Sequence, residues 1–427
     1  MKRNYKKLCL IGIPAAAAVI ALIMLVTGTF SGYSPVKVYA SNLMEGITPQ
    51  KVEPISPNNN FYRSTADFSI DLFKNSYTKG KNSLISPTSV YLALGMTANG
   101  ADGSTLKEFE GLLGKYGLNL NDLNKYYYTM NKSMTQVESG RVSIANSIWY
   151  RQDIGLDVSR EFLQTNADYY GAAAYKADFN STRTVKDMNG WVKNNTEGYI
   201  DKIIDKINPN TVMYLINALY FEDEWKNIYT KDEVEEGKFQ IMNSKTISAQ
   251  FMNSIESVYL QDEKSEGFVK PYKNGQYSFV SLLPKEGEDI DSYIASLTGD
   301  NFINVIKNKS QNAVIVSIPK FQAEYKVELK EPLEKMGLKT CFDPKKADFT
   351  KMEGTTNNDL YVGEVTHKAA ITVDERGTKA GAATAVEMDA MGTTAKSIIF
   401  NRPFVYAIVD NDTDLPLFIG TMMNPKE

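Results

Sequence analysis

Residues 375–391 alternate like a β-strand but occupy the place of a loop. Every second residue from Thr378 gives Thr378, Ala380, Ala382, Thr384, Val386, Met388 and Ala390, none charged and most of them small. Lys379, Glu387 and Asp389 fall on the other parity. Side chains alternate across a strand, so one face suits a packed sheet and the other suits water. Yet the segment joins two better strand patterns, residues 366–374 and 397–410. Irregular connections of about 20 residues are uncommon in compact domains unless they are functional or disordered. This chain must fold around a loop that has the makings of a buried strand.

The rest of the chain supplies sheets that could receive it. Residues 211–221 (TVMYLINALYF) are apolar on both parities, as in a strand covered on both faces. Further strand patterns follow at 277–284, 313–319, 366–374, 397–410 and 414–423. Helical patterns dominate earlier. Ser86 offers a cap oxygen and Pro87 suits the first helical position, so a helix is predicted from there to Gly100. Another amphipathic helix is predicted over 185–205. No repeat or second break in composition interrupts the pattern, which points to one α+β domain with large sheets.

The first forty residues stand apart. Lys2, Arg3, Lys6 and Lys7 precede an uncharged apolar run over 8–26. The run is longer than a signal-peptide core of about 7–15 residues and near the lower limit of about 17 for a membrane span. Val38-Tyr39-Ala40 then gives a small-residue cleavage pattern before Ser41. Residues 1–40 are read as a signal peptide or an N-terminal membrane anchor. Residues 41–60, with Pro49, Pro54, Pro57, Asn58, Asn59 and Asn60, are read as a linker, and 61–427 as the folded domain. Either reading of the first forty residues places the body outside the cell, secreted or held on the outer face of the membrane.

Five of the 47 basic residues and none of the 51 acidic ones lie in residues 1–40, which leaves the remainder at −9. An acidic body without a long basic run argues against nucleic acid as a partner. Cys9 lies in the export segment, so only Cys341 remains beyond it and no disulfide within the mature chain is possible.

Enzyme chemistry finds little support. His367 is the only histidine and shares a parity with Ala369, Ile371 and Val373, the apolar side of a strand. A general base needs access to substrate, and the chain has no G-x-S-x-G elbow. One histidine and one mature cysteine cannot build an ordinary zinc site. Asp410, Asp412 and Asp414 have calcium-loop spacing, but Leu415 and Thr421 stand where such a loop needs Gly and Glu. A polar turn between strands accounts for them better. Trp191, Trp225 and Cys341 read as packing residues, and Ser86, Ser89 and Asn217 as local caps.

Taken in order, several motifs resemble the serpin family, inhibitors of serine proteases, here of a bacterial exported type. They are Asn82-Ser83-Leu84-Ile85-Ser86-Pro87-Thr88-Ser89, Asn217-Ala218-Leu219-Tyr220-Phe221 with Trp225, Val365-Thr366-His367-Lys368-Ala369, Asp374-Glu375-Arg376-Gly377-Thr378, Phe400-Asn401-Arg402-Pro403-Phe404 and Phe418-Ile419-Gly420. The resemblance covers nearly all of the chain beyond residue 60. It implies three β-sheets, eight or nine helices and an exposed reactive-centre loop. It also implies a monomer with no cofactor and no metal, whose partner is a target serine protease held as a covalent acyl complex. Loop insertion in this family is an established case of strand addition with release of strain.

By the resemblance, Glu375, Arg376, Gly377, Thr378, Ala380 and Ala382 form the hinge, and Thr378 is the first side chain buried on insertion. Ser86, Ser89, Asn217 and His367 fall in a hydrogen-bonded shutter beneath the parting strands, and Trp225 lies at the breach above it. The family's spacing puts the reactive bond between Met391 and Gly392. Met391 then implies proteases with apolar primary pockets, of elastase, chymotrypsin or subtilisin type. The alternative is a non-inhibitory serpin that binds or carries a ligand. A charged or bulky inward hinge residue would favour it, and this hinge has neither.

Overall fold

Ser86 and Pro87 start a helix as their chemistry dictates. In the computed structural model, which describes residues 34–135, 140–208, 210–242, 245–353, 360–378 and 396–427, the Ser86 side chain accepts from the Ser89 amide at 3.3 Å and Pro87 opens the helix Pro87–Ala98. Every residue of that helix is buried. A helix apolar on all sides belongs in a core, and this one lies between two sheets.

The larger sheet positions the site. Its strands in chain order are β1 (Ser41–Asn42), β2 (Arg141–Arg151), β3 (Ala173–Ala177), β4 (Met213–Glu224), β5 (Phe321–Glu328), β6 (Glu364–Val373) and β7 (Gly377–Thr378). Their spatial order is β1-β3-β2-β4-β7-β6-β5. The double apolarity of β4 has a direct cause. Met213, Leu215, Leu219 and Phe221 face the main core, while Tyr214, Ile216 and Ala218 face Met188, Trp191 and Val192 of the helix Thr182–Asn195.

β4 and β6 run parallel and pair directly from Tyr214 opposite Glu364 to Tyr220 opposite Ala370. Above Ala370 they part, and β7 lies between them, antiparallel to both. A six-stranded sheet and a four-stranded sheet complete the fold. The described residues form nine α-helices and three sheets, the α+β class expected.

Three expectations need correction. The helix over 185–205 ends at Asn195. Glu197 and Gly198 then take positive φ values of 50° and 88°, which a helix cannot continue through. The strand over 397–410 is two strands in different sheets, Lys396–Ile399 and Phe404–Asp410. Pro403 sits at the break, where its missing N–H is not needed for a ladder.

The third correction concerns the linker over 41–60, which is bound along its length. β1 pairs with β3, and Leu43, Met44 and Ile47 pack on the core. Side chains of the body satisfy its backbone: Asp168 accepts from the Gln50 amide at 2.7 Å and Thr129 from the Ile55 amide at 3.0 Å. Asn58 caps the helix Asn59–Ser76. Just ahead of this stretch, the amide and carbonyl of Val36 meet the side chain of Asn194 at 2.8 and 2.7 Å. Residues 1–33, with the basic flank and the run over 8–26, lie outside the described residues. Among the described residues, no helix is long and apolar enough to cross a membrane.

Candidate functional site

Where β4 and β6 still touch, a polar cluster joins them through the core. Ser86 donates its backbone N–H to Nε2 of His367 at 3.0 Å. That ring nitrogen is thereby an acceptor, so the ring proton sits on Nδ1 and is donated to Oδ1 of Asn217 at 2.5 Å. The Asn217 amide donates to Oδ1 of Asn146 at 2.5 Å and also to the Ser89 hydroxyl. Ser86, Ser89, Asn217 and His367 are fully buried.

Burial lowers the His367 pKa to about 3, so the ring is neutral at any ordinary pH. Sealed from solvent, it serves no substrate. Sequence reasoning brought four of these residues together and missed Asn146, an amide in the otherwise largely apolar run 144–150. Only the strand register, Asn146 opposite Asn217, reveals its place.

At the upper end of the gap the chain reverses over residues 374–377. The Arg376 amide donates to the Asp374 carboxylate at 2.9 Å, and the Asp374 amide to the Gly377 carbonyl at 3.1 Å. Trp225 pins this reversal twice. Its indole N–H donates to the Asp374 carbonyl at 2.8 Å, and its amide to the Arg376 carbonyl at 2.8 Å. The Tyr229 amide donates to the Glu375 carbonyl at 2.8 Å, and Lys320 pairs with the Glu375 carboxylate at 2.6 Å. Gly377 is required here. Its φ is 154°, and a Cβ would come within 2.2 Å of the Asp223 carbonyl oxygen.

The aromatic floor beneath the reversal was not foreseen. Trp225 stacks on Tyr272 with ring centroids 4.6 Å apart. Lys270 and Glu256 form a buried ion pair at 2.6 Å, with the ammonium 4.2 Å from the centre of the Tyr229 ring. Burial alone would lower the Lys270 pKa, but Tyr229 and Glu256 hold it above the ordinary lysine value.

Thr378 corrects an expectation. Instead of waiting outside the sheet, it is already fully buried. It pairs with Asp223 of β4 and Val373 of β6, and its hydroxyl lies 2.6 Å from the Tyr272 hydroxyl. Sequence alternation could assign Thr378 its inward face but could not tell that the face was occupied. Asp223, on the other side of the pair, is also buried, and that burial pushes its carboxyl up to about 6.

Ala380, Ala382, Met391 and Gly392 lie outside the described residues. The turn at Asp410 is a polar closure: one carboxylate oxygen accepts from the amides of Asp412 and Thr413 at 3.1 and 3.0 Å. Cys341 is fully buried, and burial pushes its thiol pKa well up.

A family model described as Serpin (serine protease inhibitor) matches residues 63–425. The chain belongs to the serpin family. It is 30% identical to Serpin A3-1 of Bos taurus, covering 85% of this chain and 89% of that protein. It is also 30% identical to Iripin-2 of Ixodes ricinus, covering 80% and 87%. Among solved structures, a thermophilic serpin, tengpin, in its native state is 47% identical, with a TM-score of 0.86 over 91% of this chain and all of that one. The latent state of tengpin gives a TM-score of 0.77 over 87% and 99%.

In this serpin the geometry amounts to a slot with its top filled. Two parallel strands are joined below by His367 and Asn217 and wedged apart above by Gly377 and Thr378. A strand entering the slot can pair with both edges at once, and β7 already does so in the antiparallel sense.

Proposed function

We propose that this serpin is inhibitory and traps a serine protease by drawing its own cut loop into the slot between β4 and β6. The observation that carries the reading is the buried antiparallel pair Gly377–Thr378. In an antiparallel strand, each residue further along faces one residue earlier on each neighbour. Two residues beyond Thr378, Ala380 would face Phe221 and Ile371. Ala382 would follow against Leu219 and Ala369, and Val386 against Leu215 and Val365. All six of these partners belong to the main core cluster. Thr384 would arrive opposite Asn217 and His367, with a hydroxyl to offer the two groups that insertion must separate.

The chemistry is that of an interrupted acyl transfer. The protease serine oxygen attacks the Met391 carbonyl carbon, the Met391–Gly392 bond breaks, and the Gly392 nitrogen leaves with a proton. Residues up to Met391 then remain esterified to the protease and can enter the slot before water releases them. Met391 suits a medium apolar primary pocket, as in elastase-, chymotrypsin- or subtilisin-like enzymes. The basic flank and apolar run at the N-terminus support export, with the inhibitor secreted or anchored on the outer face of the membrane.

A carrier role is the competing reading. Human thyroxine-binding globulin complexed with thyroxine shares the fold, at 25% identity and a TM-score of 0.77. The small, uncharged inward residues from Thr378 onward favour inhibition, because they suit burial in a sheet. The test is incubation with these proteases followed by a denaturing gel. A band at the summed mass of inhibitor and protease is expected. Cleaved inhibitor with fully active protease would overturn the reading.

A further inference from the structure

Ile315 breaks the alternation of its own strand. In Val314–Pro319, Val314, Val316 and Ile318 are buried, and the residues between them should be polar. Ile315 is instead 44% exposed, beside Ile255 at 38% and Ile399 at 50%. The register puts them on one face of the four-stranded sheet. Ile315 lies opposite Ile255 and Ser397, and Ser317 lies opposite Asn253 and Ile399. A shallow groove continues the face across Phe251 and Gly237 to Glu235, which the register places on the same side as Phe251. Apolar side chains exposed singly are ordinary, whereas a cluster rimmed by polar groups marks an interaction surface.

We propose that this isoleucine face is a second contact surface for the target protease, engaged while the protease sits on the loop. The proposal rests on the inhibitory reading. Lys396–Ile399 is the edge strand of this sheet and follows residues 379–395 directly in the chain. Three residues lie between Gly392 and Lys396, and the four chain steps reach at most about 14 Å when extended. A protease domain of about 250 residues has a radius of gyration of about 18 Å. A protease holding the Met391–Gly392 bond is therefore tethered, by its bound surface, within about 14 Å of the start of the strand that carries Ile399.

The partner this face fits has an apolar surface beside its cleft, with a basic group to meet Glu235. Contact there acts before the bond is cut, so it governs encounter. Insertion, a later event in another sheet, does not depend on it.

The test is the triple variant Ile255→Ser, Ile315→Ser, Ile399→Ser of the full chain. Its association rate is measured with whichever of subtilisin, chymotrypsin and elastase forms a covalent complex with the parent. A ten-fold or greater fall is expected, with the cut bond and the ratio of complex to cleaved inhibitor unchanged. A rate within two-fold of the parent overturns the proposal and leaves the inhibitory reading standing. A parent that forms no complex with any of the three overturns both.

Sedimentation of parent and variant tests the rival occupant, a second copy of this chain. A dimeric parent, a monomeric variant and an unchanged rate would make the face a self-interface and overturn the proposal. The variant Glu235→Lys gives a reading that does not depend on the isoleucines. It should slow association at least three-fold at low salt, and an unchanged rate counts against the charged contact.

Discussion

The hydroxyl of Thr378 lies 2.6 Å from that of Tyr272, so the loop is tied into the sheet before any bond is cut. The contact is fully buried and joins the larger sheet to Tyr272, the residue just beyond the strand Ser265–Pro271 of the six-stranded sheet. It marks the point from which insertion would proceed downward.

Thr378→Arg should turn the inhibitor into a substrate. The position is fully buried, and an imperfectly paired buried charge costs several kcal/mol. The hinge would be expelled and insertion slowed, leaving time for deacylation. The measurement is the ratio of covalent complex to cleaved inhibitor on a denaturing gel. A ratio equal to the parent's would show that hinge burial does not limit trapping.

His367 should make the fold sensitive to acid. Burial lowers its pKa from 6.5 to about 3, so above pH 6.5 the ring is neutral in both folded and unfolded chains. Between those values the unfolded chain takes up a proton that the folded chain refuses. Stability present above pH 6.5 is therefore lost on acidification, at about 1.4 kcal/mol per pH unit. The parent's advantage over His367→Gln should shrink at that rate between pH 6.5 and 4 in denaturant titrations. A difference independent of pH would contradict the buried neutral ring.

Asp223 should act in the opposite sense. Burial raises its folded pKa from 3.8 to about 6. Its stabilising contribution is complete below the unfolded value and is lost as pH rises through 6. Asp223→Asn imitates the protonated carboxyl, so its melting temperature should gain on the parent's between pH 4 and 6 and hold that gain at pH 8. A gain that is largest at pH 4 would rule out this account.

Cutting the loop should raise the melting temperature, the reverse of what nicking ordinarily does. Nine or ten new strand positions, at roughly 0.5–1.5 kcal/mol net per hydrogen bond, add on the order of 10 kcal/mol. That is comparable with the whole stability of an ordinary domain, about 5–15 kcal/mol. Thr384→Ala should reduce this gain by about 1–3 kcal/mol, because Asn217 and His367 would lose a partner on insertion, while the uncut form melts as before. An unchanged melting temperature after limited proteolysis over 387–394 would favour the carrier reading.

Met391→Arg should move inhibition from elastase- and subtilisin-like enzymes to trypsin-like ones. The peptide released by the parent should begin at Gly392, as read by mass spectrometry. A start at Asp389 or Met391 would move the reactive bond to follow Met388 or Ala390.

Much of this protein was legible one segment at a time. The cap at Ser86, the strand Tyr277–Pro284, the double apolarity of β4 and the alternation from Thr378 onward each arise from residues close in sequence, whose periodicity sets which face is buried. The family motifs then brought Ser86, Ser89, Asn217 and His367 into one cluster. Other features depend on partners far along the chain. Asn146 joins the shutter only because its strand pairs with Asn217, 71 positions away. The stretch over 41–60 has a linker's composition and is held by Asp168 and Thr129, which nothing within the stretch announces. Alternation gave Thr378 an inward face, but its burial before cleavage depends on Tyr272, 106 positions away, meeting its hydroxyl. Local patterns determine which side chains can be buried, because they set the direction in which each side chain points. Only the tertiary register decides what each buried group meets, because that partner is supplied by another strand.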